Sequence, residues 1–281
     1  RDPEMSRGLG DVYKRQLYPT VSDYWNSFHQ TRAIATYAEN VAALDNASYD
    51  AIWEAARQYN RNLCSRSNSF LLSEEQKAEY ESLLDISGQG VMGYIEIPEI
   101  DVSLPIYHGT EEETLDRGVG HLIGSSLPIG GSSTHAILTG HSGLASQKMF
   151  SDLDKLEIGD TFYLEVLNEF LAYEVDQINT VLPHDTTYLG LEEGKDLCTL
   201  VTCTPFGVNT HRLLVRGHRV AYTPEDEESP TIEPAETSEP VDSTWEQEYE
   251  KGVYFAIGVI VVICLILFLG WLTQRGESRA S

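Results

Sequence analysis

Residues 198–222 read CTLVTCTPFGVNTHRLLVRGHRVAY, two runs rich in aliphatic and β-branched residues separated by a short segment that contains Pro205 and Gly207. Runs of this kind bounded by turn residues predict two β-strands, and so short a connection makes the pair antiparallel. The same composition recurs earlier in the chain in VMGYIEIPEI, VSLPIY, THAILTGH, TFYLEV and LAYEVDQINTVL. Seven or eight short strands within about 130 residues predict a closed or nearly closed β-barrel, so the fold class is mainly β.

The region before these strands has a helical pattern instead. Apolar residues recur at helix-like intervals over residues 22–58, with polar residues between them. Asp45-Asn46 and Ser48 interrupt this pattern, which predicts two helices with Ser48 as the N-cap of the second. A further short helix is expected after Ser73, where SEEQ forms a capping box. Other short helices are expected at EEETLDRG and SQKMFSDLDKL.

The C-terminal region predicts a membrane tether. Residues 253–272, VYFAIGVIVVICLILFLGWL, carry no charge and are long enough for a helix to cross a bilayer. Arg275 and Arg279 follow this segment and an acidic stretch precedes it, which predicts a cytoplasmic tail and an extracellular main domain. Residues 224–250 are rich in Pro, Ser, Thr and Glu, a composition typical of an extended stalk without a core.

Charge and cysteine content exclude two classes of function. The formal net charge of -25 is the wrong sign for binding nucleic acid, whose phosphates attract Lys and Arg. The cysteines show no CxxC pair and no Cys/His spacing typical of zinc ligands, so we expect neither a metal nor a cofactor. These cysteines are Cys64, Cys198, Cys203 and Cys264.

Three residues with complementary chemistry lie at the predicted strand ends. His141 ends ILTGH, Cys203 ends TLVTC, and Arg212 begins the next strand. An antiparallel turn between the last two strands would bring Cys203 and Arg212 side by side at one end of the barrel. From the pattern alone, other histidines compete with His141 for a catalytic role: His121, His135, His211 and His218.

Together these three residue types suit acyl transfer. A free thiol has a pKa of roughly 8.5, so at neutral pH it needs a neighbouring imidazole to take its proton. The same imidazole can return a proton to a leaving amine. A fixed arginine can stabilise the oxyanion that forms when a thiolate attacks an amide, without any Asp or Asn in the site.

From about Tyr18 to Tyr222 the chain resembles the sortases, specifically the class C, pilin-polymerising type. The matching stretches are YPTVSDYWN, GVMGYIEIPEIDVSLPIYHGT, GVGHLIGSSLPIGG, HAILTGHSGL, FSDLDKLEIGD and TLVTCTPFGVNTHRLLVRGHRV. The resemblance implies a sortase-type closed eight-stranded β-barrel with N-terminal helices, to which the sequence adds the C-terminal transmembrane helix. The TLxTC pentapeptide of the family is Thr199 to Cys203 here.

The resemblance also implies roles and partners. Cys203 would attack the Thr-Gly bond of an LPxTG-like sorting signal and hold the protein as a thioester. A lysine amine of the next pilin would then resolve it as an isopeptide bond. His141 would be the acid/base residue and Arg212 the stabiliser of the oxyanion or the substrate.

One part of the chain departs from the family pattern. Class C enzymes usually carry an N-terminal lid with an Asp-Pro-aromatic motif that covers the catalytic cysteine. The corresponding loop of this chain reads Asn68-Ser69-Phe70. Phe70 could still cover Cys203, whereas Asn68 could hydrogen-bond Arg212 but brings no charge.

These inferences predict the following organisation of the chain. Residues 1–16 are a non-native or disordered segment, 17–90 the N-terminal helices and lid loop, 91–223 the catalytic barrel, 224–251 an acidic disordered stalk, 252–273 the transmembrane helix and 274–281 the cytoplasmic tail. The expected location is the plasma membrane of a Gram-positive-type bacterium, with the catalytic domain outside.

Three functions stay open at this point. The first is a cysteine transpeptidase that joins pilin subunits. The second is a sortase that anchors surface proteins to peptidoglycan and differs only in the resolving cell-wall amine. The third is a catalytically silent, membrane-tethered binding module on the same barrel.

Overall fold

The computed structural model describes residues 29–64, 72–142 and 147–222. Its helices are α1 (29–42), α2 (Asn46–Cys64), α3 (Glu74–Ser82) and α4 (Glu112–Leu115). Its strands are β1 (Val91–Ile97), β2 (Val102–His108), β3 (Val119–His121), β4 (Thr134–Thr139), β5 (Thr161–Val166), β6 (Glu169–Val181), β7 (Asp196–Thr204) and β8 (His211–Val220).

The eight strands close into a barrel in the order β1-β2-β3-β4-β7-β8-β6-β5, with β5 paired to β1. The pairs β2–β3 and β4–β7 are parallel, and the other neighbours are antiparallel. The predicted barrel is therefore confirmed, and its closure leaves no unpaired strand edge. Aliphatic side chains fill the interior, and the rings of Phe162 and Tyr173 stack at a centroid distance of 5.5 Å.

Buried polar side chains fix α1 and α2 to the barrel. The Tyr37 hydroxyl of α1 donates to the carbonyl of Met92 at 2.9 Å and accepts from the N–H of Leu167 at 2.9 Å. Asn60 of α2 donates to the carbonyl of Leu127 at 3.2 Å and accepts from the N–H of the same residue at 2.8 Å. Each helix is thus held in one register by a pair of bonds that few other side chains could make.

The break between the first two helices is as predicted, but its cap is not. The backbone N–H of Ser48 donates to the carboxylate of Asp45 at 2.8 Å, and α2 begins at Asn46. Asp45 is therefore the N-cap, and the prediction of Ser48 was wrong because Ser48 lies three residues inside, where it donates to the cap. The capping box of α3 is confirmed, with Ser73 and Gln76 bonded reciprocally.

Two further elements differ from the sequence prediction. The stretch SQKMFSDLDKL forms no α-helix among its described residues, only turns and a 3₁₀ turn at Leu153–Lys155. Met149 has a positive φ of 41°, which a right-handed helix does not allow, and Phe150 is fully buried. Strand β3, with only three residues, was too short to be recognised by its pattern.

The predicted stalk, transmembrane helix and tail lie outside the described residues, as does the segment 1–16. Within the ranges that the structure describes, no helix is long and apolar enough to cross a membrane.

Candidate active site

Cys203 and Arg212 are directly opposite each other on neighbouring antiparallel strands. The register of β7 and β8 pairs Cys203 with Arg212 and Thr204 with His211. Directly paired residues point to the same face of a sheet, with their Cβ atoms about 5 Å apart. The predicted juxtaposition of the thiol and the guanidinium is therefore confirmed. Cys203 is half-buried and forms no disulfide.

His141 follows the strand on the other side of β7. Strand β4 runs parallel to β7, with Thr139 paired to Val201. One residue later, the N–H of Gly140 donates to the carbonyl of Val201 at 3.0 Å, and the hydroxyl of Thr202 donates to the carbonyl of Gly140 at 2.8 Å. His141 is the next residue, so it lies beside the end of β7 that carries Cys203.

Gly140 leaves space for an aromatic ring that helps to fix His141. A Cβ at Gly140 would lie 2.8 Å from the ring of Phe150, too close for any side chain without a shift of that ring. The N–H of Phe150 in turn donates to the carbonyl of His141 at 3.0 Å. Packing therefore requires a glycine before His141, and the hydrogen bonds of Gly140 and Phe150 fix the backbone that carries the imidazole.

Arg212 also supports the loop that joins β7 to β8. Its Nη1 donates to the carbonyl of His211 at 3.1 Å and to that of Asn209 at 3.3 Å. A guanidinium has five N–H donors, and both of these bonds use Nη1. Within the described residues, Nε and Nη2 make no bond, so they are the donors that can face a substrate oxygen.

Asp116 is a member of the site that the sequence analysis did not identify. Its carboxylate lies 3.9 Å from Nε2 of His141, and its side chain is 61% exposed whereas that of His141 is 28% exposed. At this distance and exposure the contact between the carboxylate and the imidazole is weak. Nothing in the acidic run Glu111 to Asp116 distinguishes this carboxylate, because the contact depends on the pairing of β3 with β4.

The competing histidines have other environments. His121 and His135 are fully buried, and burial lowers the pKa of both. His211 is next to Arg212 but, because successive strand residues alternate in direction, its side chain points to the opposite face from Cys203 and Arg212. His218 pairs with Leu197 near the other end of β7. His141 is therefore the candidate that is partly exposed and lies beside the end of β7 that carries Cys203.

The surface on the Arg212 side of the thiol is apolar. Phe206 and Val208, in the loop after Cys203, are 69% and 65% exposed, and Leu182, just after β6, is 61% exposed. The last residue of β6, Val181, pairs with Arg212, so these side chains are at the same end of the barrel as Cys203. Exposed apolar side chains grouped beside polar reactive residues are typical of a binding surface.

No cluster of three or more His, Cys, Asp or Glu suited to a metal ion occurs within the described ranges. The lid residues Asn68 and Phe70 lie outside the described residues. At this end of the barrel, Cys203, His141 and Arg212 provide a thiol, an imidazole and a guanidinium on or next to three adjacent strands. This set can form an acyl-thioester, move a proton and bind an oxyanion.

Comparison with known proteins gives a consistent assignment. The family model described as the sortase domain matches residues 95–220. Sortase D of Bacillus subtilis (strain 168) is 32% identical over 151 residues, which is 53% of this chain and 73% of that protein.

Solved structures of sortase C enzymes extend the similarity. The crystal structure of sortase C1 from Streptococcus agalactiae is 51% identical, with a TM-score of 0.67, covering 68% of this chain and 100% of that one. Clostridium perfringens sortase C, solved with its C-terminal cell wall sorting motif, is 41% identical with a TM-score of 0.61, covering 68% and 100%. The resemblance to class C is confirmed, and this chain belongs to the sortase family of cysteine transpeptidases.

Proposed function

We propose that this chain is a pilin-polymerising sortase that cleaves an LPxTG-like signal and joins the resulting acyl group to a lysine amine. The observation that carries the proposal is the strand register, in which Cys203 pairs with Arg212 on one side and adjoins His141 on the other. The identity of 51% to a sortase C1 supports the class C assignment.

The first half of the reaction forms a thioester. The thiolate of Cys203 attacks the carbonyl carbon of the Thr residue, and the oxyanion receives hydrogen bonds from Arg212. The C–N bond to Gly breaks as His141 donates a proton to the leaving amine. The acyl group remains on Cys203, and His141 is left neutral.

The second half restores the enzyme. A lysine amine attacks the thioester carbonyl, the C–S bond breaks, and the electron pair returns to Cys203 as thiolate. His141 takes the proton that the amine loses. The product is an isopeptide bond, and no metal, oxidant or cofactor is consumed in this sequence.

The exposed apolar side chains beside Arg212 fit the donor signal. Leu182, Phe206 and Val208 offer apolar surface next to the thiol, suited to the Leu-Pro part of an LPxTG-like peptide. The sorting motif present in the Clostridium perfringens sortase C structure supports a substrate of this class. Anchoring to peptidoglycan is the alternative and would differ only in the resolving amine.

The remaining parts of the proposal concern location. Residues 224–251 act as an acidic stalk, residues 252–273 span the plasma membrane and residues 274–281 lie in the cytoplasm. The barrel then works on the outer face of a Gram-positive-type cell, where sorting signals and acceptor amines are found together.

The test is a trap of the acyl-enzyme. The full chain in mild detergent is incubated with a Leu-Pro-x-Thr-Gly peptide, and intact-protein mass spectrometry detects the acyl adduct. We expect the adduct in the wild type and none in Cys203→Ala, whose thermal unfolding should match the wild type.

Cys198→Ala is a matched control on the same strand. Cys198 is fully buried and burial raises the pKa of its thiol well above the usual range, so it should carry no acyl group. An adduct in Cys203→Ala, or its loss in a folded Cys198→Ala, would contradict the proposal. Lysine-bearing pilin and a cell-wall peptide as competing acceptors then distinguish polymerisation from anchoring.

A further inference from the structure

A second groove adjoins His141 on the side away from Arg212. It lies between α1 and the barrel, encloses about 650 Å³, and is lined by polar side chains that include Gln30, Arg32, Asp116, Arg117 and Gln147. Asp116 belongs both to this groove and to the surroundings of His141, since its carboxylate is 3.9 Å from Nε2. The Asp116 wall of the groove therefore lies 3.9 Å from the imidazole.

The backbone that carries Asp116 is held from both walls of the groove. Gln147 donates from Nε2 to the carbonyl of Asp116 at 2.9 Å, and Gln30 of α1 donates to the carbonyl of Arg117 at 3.5 Å. With the backbone fixed, the Asp116 side chain is free to project, and it is 61% exposed. The carboxylate is thus a positioned acceptor at the junction of groove and site.

Gln147 contributes a second acceptor. Its Nε2 is bonded to Asp116, while its buried Oε1 has no hydrogen-bond partner within the described part of the chain. A buried acceptor without a donor is unfavourable by roughly 1–3 kcal/mol, so this atom is suited to a ligand that brings an N–H. Since Gln147 lines the groove, a small shift of its side chain would present this acceptor, together with the Asp116 carboxylate, to one donor group.

The chemistry of the reaction requires an amine on this side. His141 gives a proton to the leaving amine and later takes one from the incoming amine, so both amines must reach the same imidazole edge. The other side of the thiol has the oxyanion donor Arg212 and the apolar side chains of Phe206 and Val208. The acyl group and the amine thus approach Cys203 from opposite sides.

We propose that the groove binds the acceptor segment, with Asp116 and Gln147 accepting hydrogen bonds from its lysine amine beside His141. This inference rests on the proposed function and adds the site of the second substrate. The charge of Asp116 favours the ammonium form of the lysine, whereas the guanidinium groups of Arg32 and Arg117 in the same groove oppose it and favour the uncharged amine, the form that attacks.

The amine nitrogen forms a bond to the thioester carbon, the bond from that carbon to Sγ of Cys203 breaks, and His141 receives the proton. The carboxylate of Asp116 lies 3.9 Å from Nε2 of the imidazole that has received this proton.

The experiment compares a large acceptor with a small one. The full chain is supplied with the Leu-Pro-x-Thr-Gly peptide and either Nα-acetyl-lysine amide or hydroxylamine, which is too small to depend on the groove. The measured quantity is the ratio of the lysine rate constant to the hydroxylamine rate constant. Gln147→Ala should lower this ratio about tenfold, because it removes one hydrogen bond to a polar or charged donor.

A second variant and a control complete the design. Ala33→Phe adds bulk to the α1 wall of the groove and should lower the ratio in the same direction. Arg61→Ala alters a different groove, between α2 and the start of β4, and should leave the ratio unchanged.

The outcomes separate the two proposals. A wild type that gives no hydroxamate overturns the proposed function, and this inference with it. If all variants form hydroxamate but the ratio is unchanged in both Gln147→Ala and Ala33→Phe, the proposal that the groove binds the acceptor is overturned and the proposed function stands. An equal fall of the ratio in Arg61→Ala also overturns it, since the effect would then not be local.

Discussion

His121 and His141 are neighbours in the barrel with opposite environments. His121 ends β3, is fully buried, and has both ring nitrogens bonded. Its Nε2 donates to the carbonyl of Ser126 at 2.8 Å, and its Nδ1 accepts from the hydroxyl of Tyr80 at 2.9 Å, since the carbonyl can only accept. His141 follows the adjacent strand β4, is partly exposed, and has one loose contact at 3.9 Å to Asp116.

The comparison separates two uses of the same side chain. The His121 ring joins α3 to the barrel through Tyr80, and a proton would have to displace one of its bonds. The backbone of His141 is fixed by the bonds of Gly140 and Phe150, whereas among the described residues its ring nitrogens have only the 3.9 Å contact of Nε2 with Asp116 and stay available. A histidine that must exchange protons with a substrate needs the second arrangement.

The largest expected effect is the loss of activity when an amide replaces the ring of His141. His141→Gln should lower kcat for transfer by about 100- to 10,000-fold, because it removes the group that moves the proton. Its free energy of unfolding should stay close to that of the wild type, since among the described residues the ring has only the 3.9 Å contact with Asp116. Peptide turnover and urea unfolding, measured on the same preparations, check both parts.

His121→Gln is the matched control for this prediction. It should leave kcat near the wild-type value but lower the free energy of unfolding by about 1–3 kcal/mol, because a buried hydrogen-bonded ring is lost. If His121→Gln lost activity while retaining its stability, the division between a structural and a reactive histidine would be wrong.

A smaller effect is expected on the pH dependence of stability. Burial lowers the pKa of His121 to about 4, from a usual value of 6.5. Between these two values the unfolded chain binds more protons than the folded one, so acid favours unfolding. This histidine should therefore lower the free energy of unfolding by up to about 3 kcal/mol as the pH falls from 6.5 to 4, and have no effect above that window.

Urea unfolding of the wild type and His121→Gln at several pH values measures this contribution. The slope between pH 4 and 6.5 should be shallower in the variant. Burial also lowers the pKa of His135, which keeps part of the slope in both proteins. Parallel curves for the two proteins would show that His121 is protonated as easily in the folded state as in the unfolded one.

The sequence predicted the barrel and the pairing of Cys203 with Arg212 because both depend on local signals. Each strand has an apolar run, and a short turn fixes the register of β7 and β8. The position of His141 beside Cys203 depends instead on the parallel pairing of β4 with β7, which is formed between distant segments. The position of His141 beside Cys203 therefore follows from the resemblance to the sortases and not from a local signal.

The features that the sequence could not predict depend on contacts that appear only in the folded chain. Asp116 contacts His141 only through the packing of β3 on β4, and its own neighbourhood is a run of similar acids. The choice of Asp45 over Ser48 as helix cap shifts the helix start by three residues, and the sequence does not decide it because both are good caps. The acceptor Oε1 of Gln147, unpaired among the described residues, likewise becomes visible only when the bond from Nε2 of the same side chain to the carbonyl of Asp116 is located.

The smallest expected effect concerns access to the thiol beside His141. We predict that a lid over Cys203 is held by packing of Phe70 and not by a contact of Asn68, because Asn68 has no charge with which to bind Arg212. The exposed side chains of Phe206 and Val208 offer apolar surface at this end of the barrel. Burying a Phe contributes about 1.5–3 kcal/mol, and the lower value already corresponds to about a tenfold closed excess.

Phe70→Ala should therefore speed modification of Cys203 by a small thiol reagent by about tenfold, and Asn68→Ala by much less, since reactivity follows the open fraction. Peptide mapping by mass spectrometry follows Cys203 separately from the other thiols. Equal rates in the wild type and Phe70→Ala would mean that this loop does not close over the thiol.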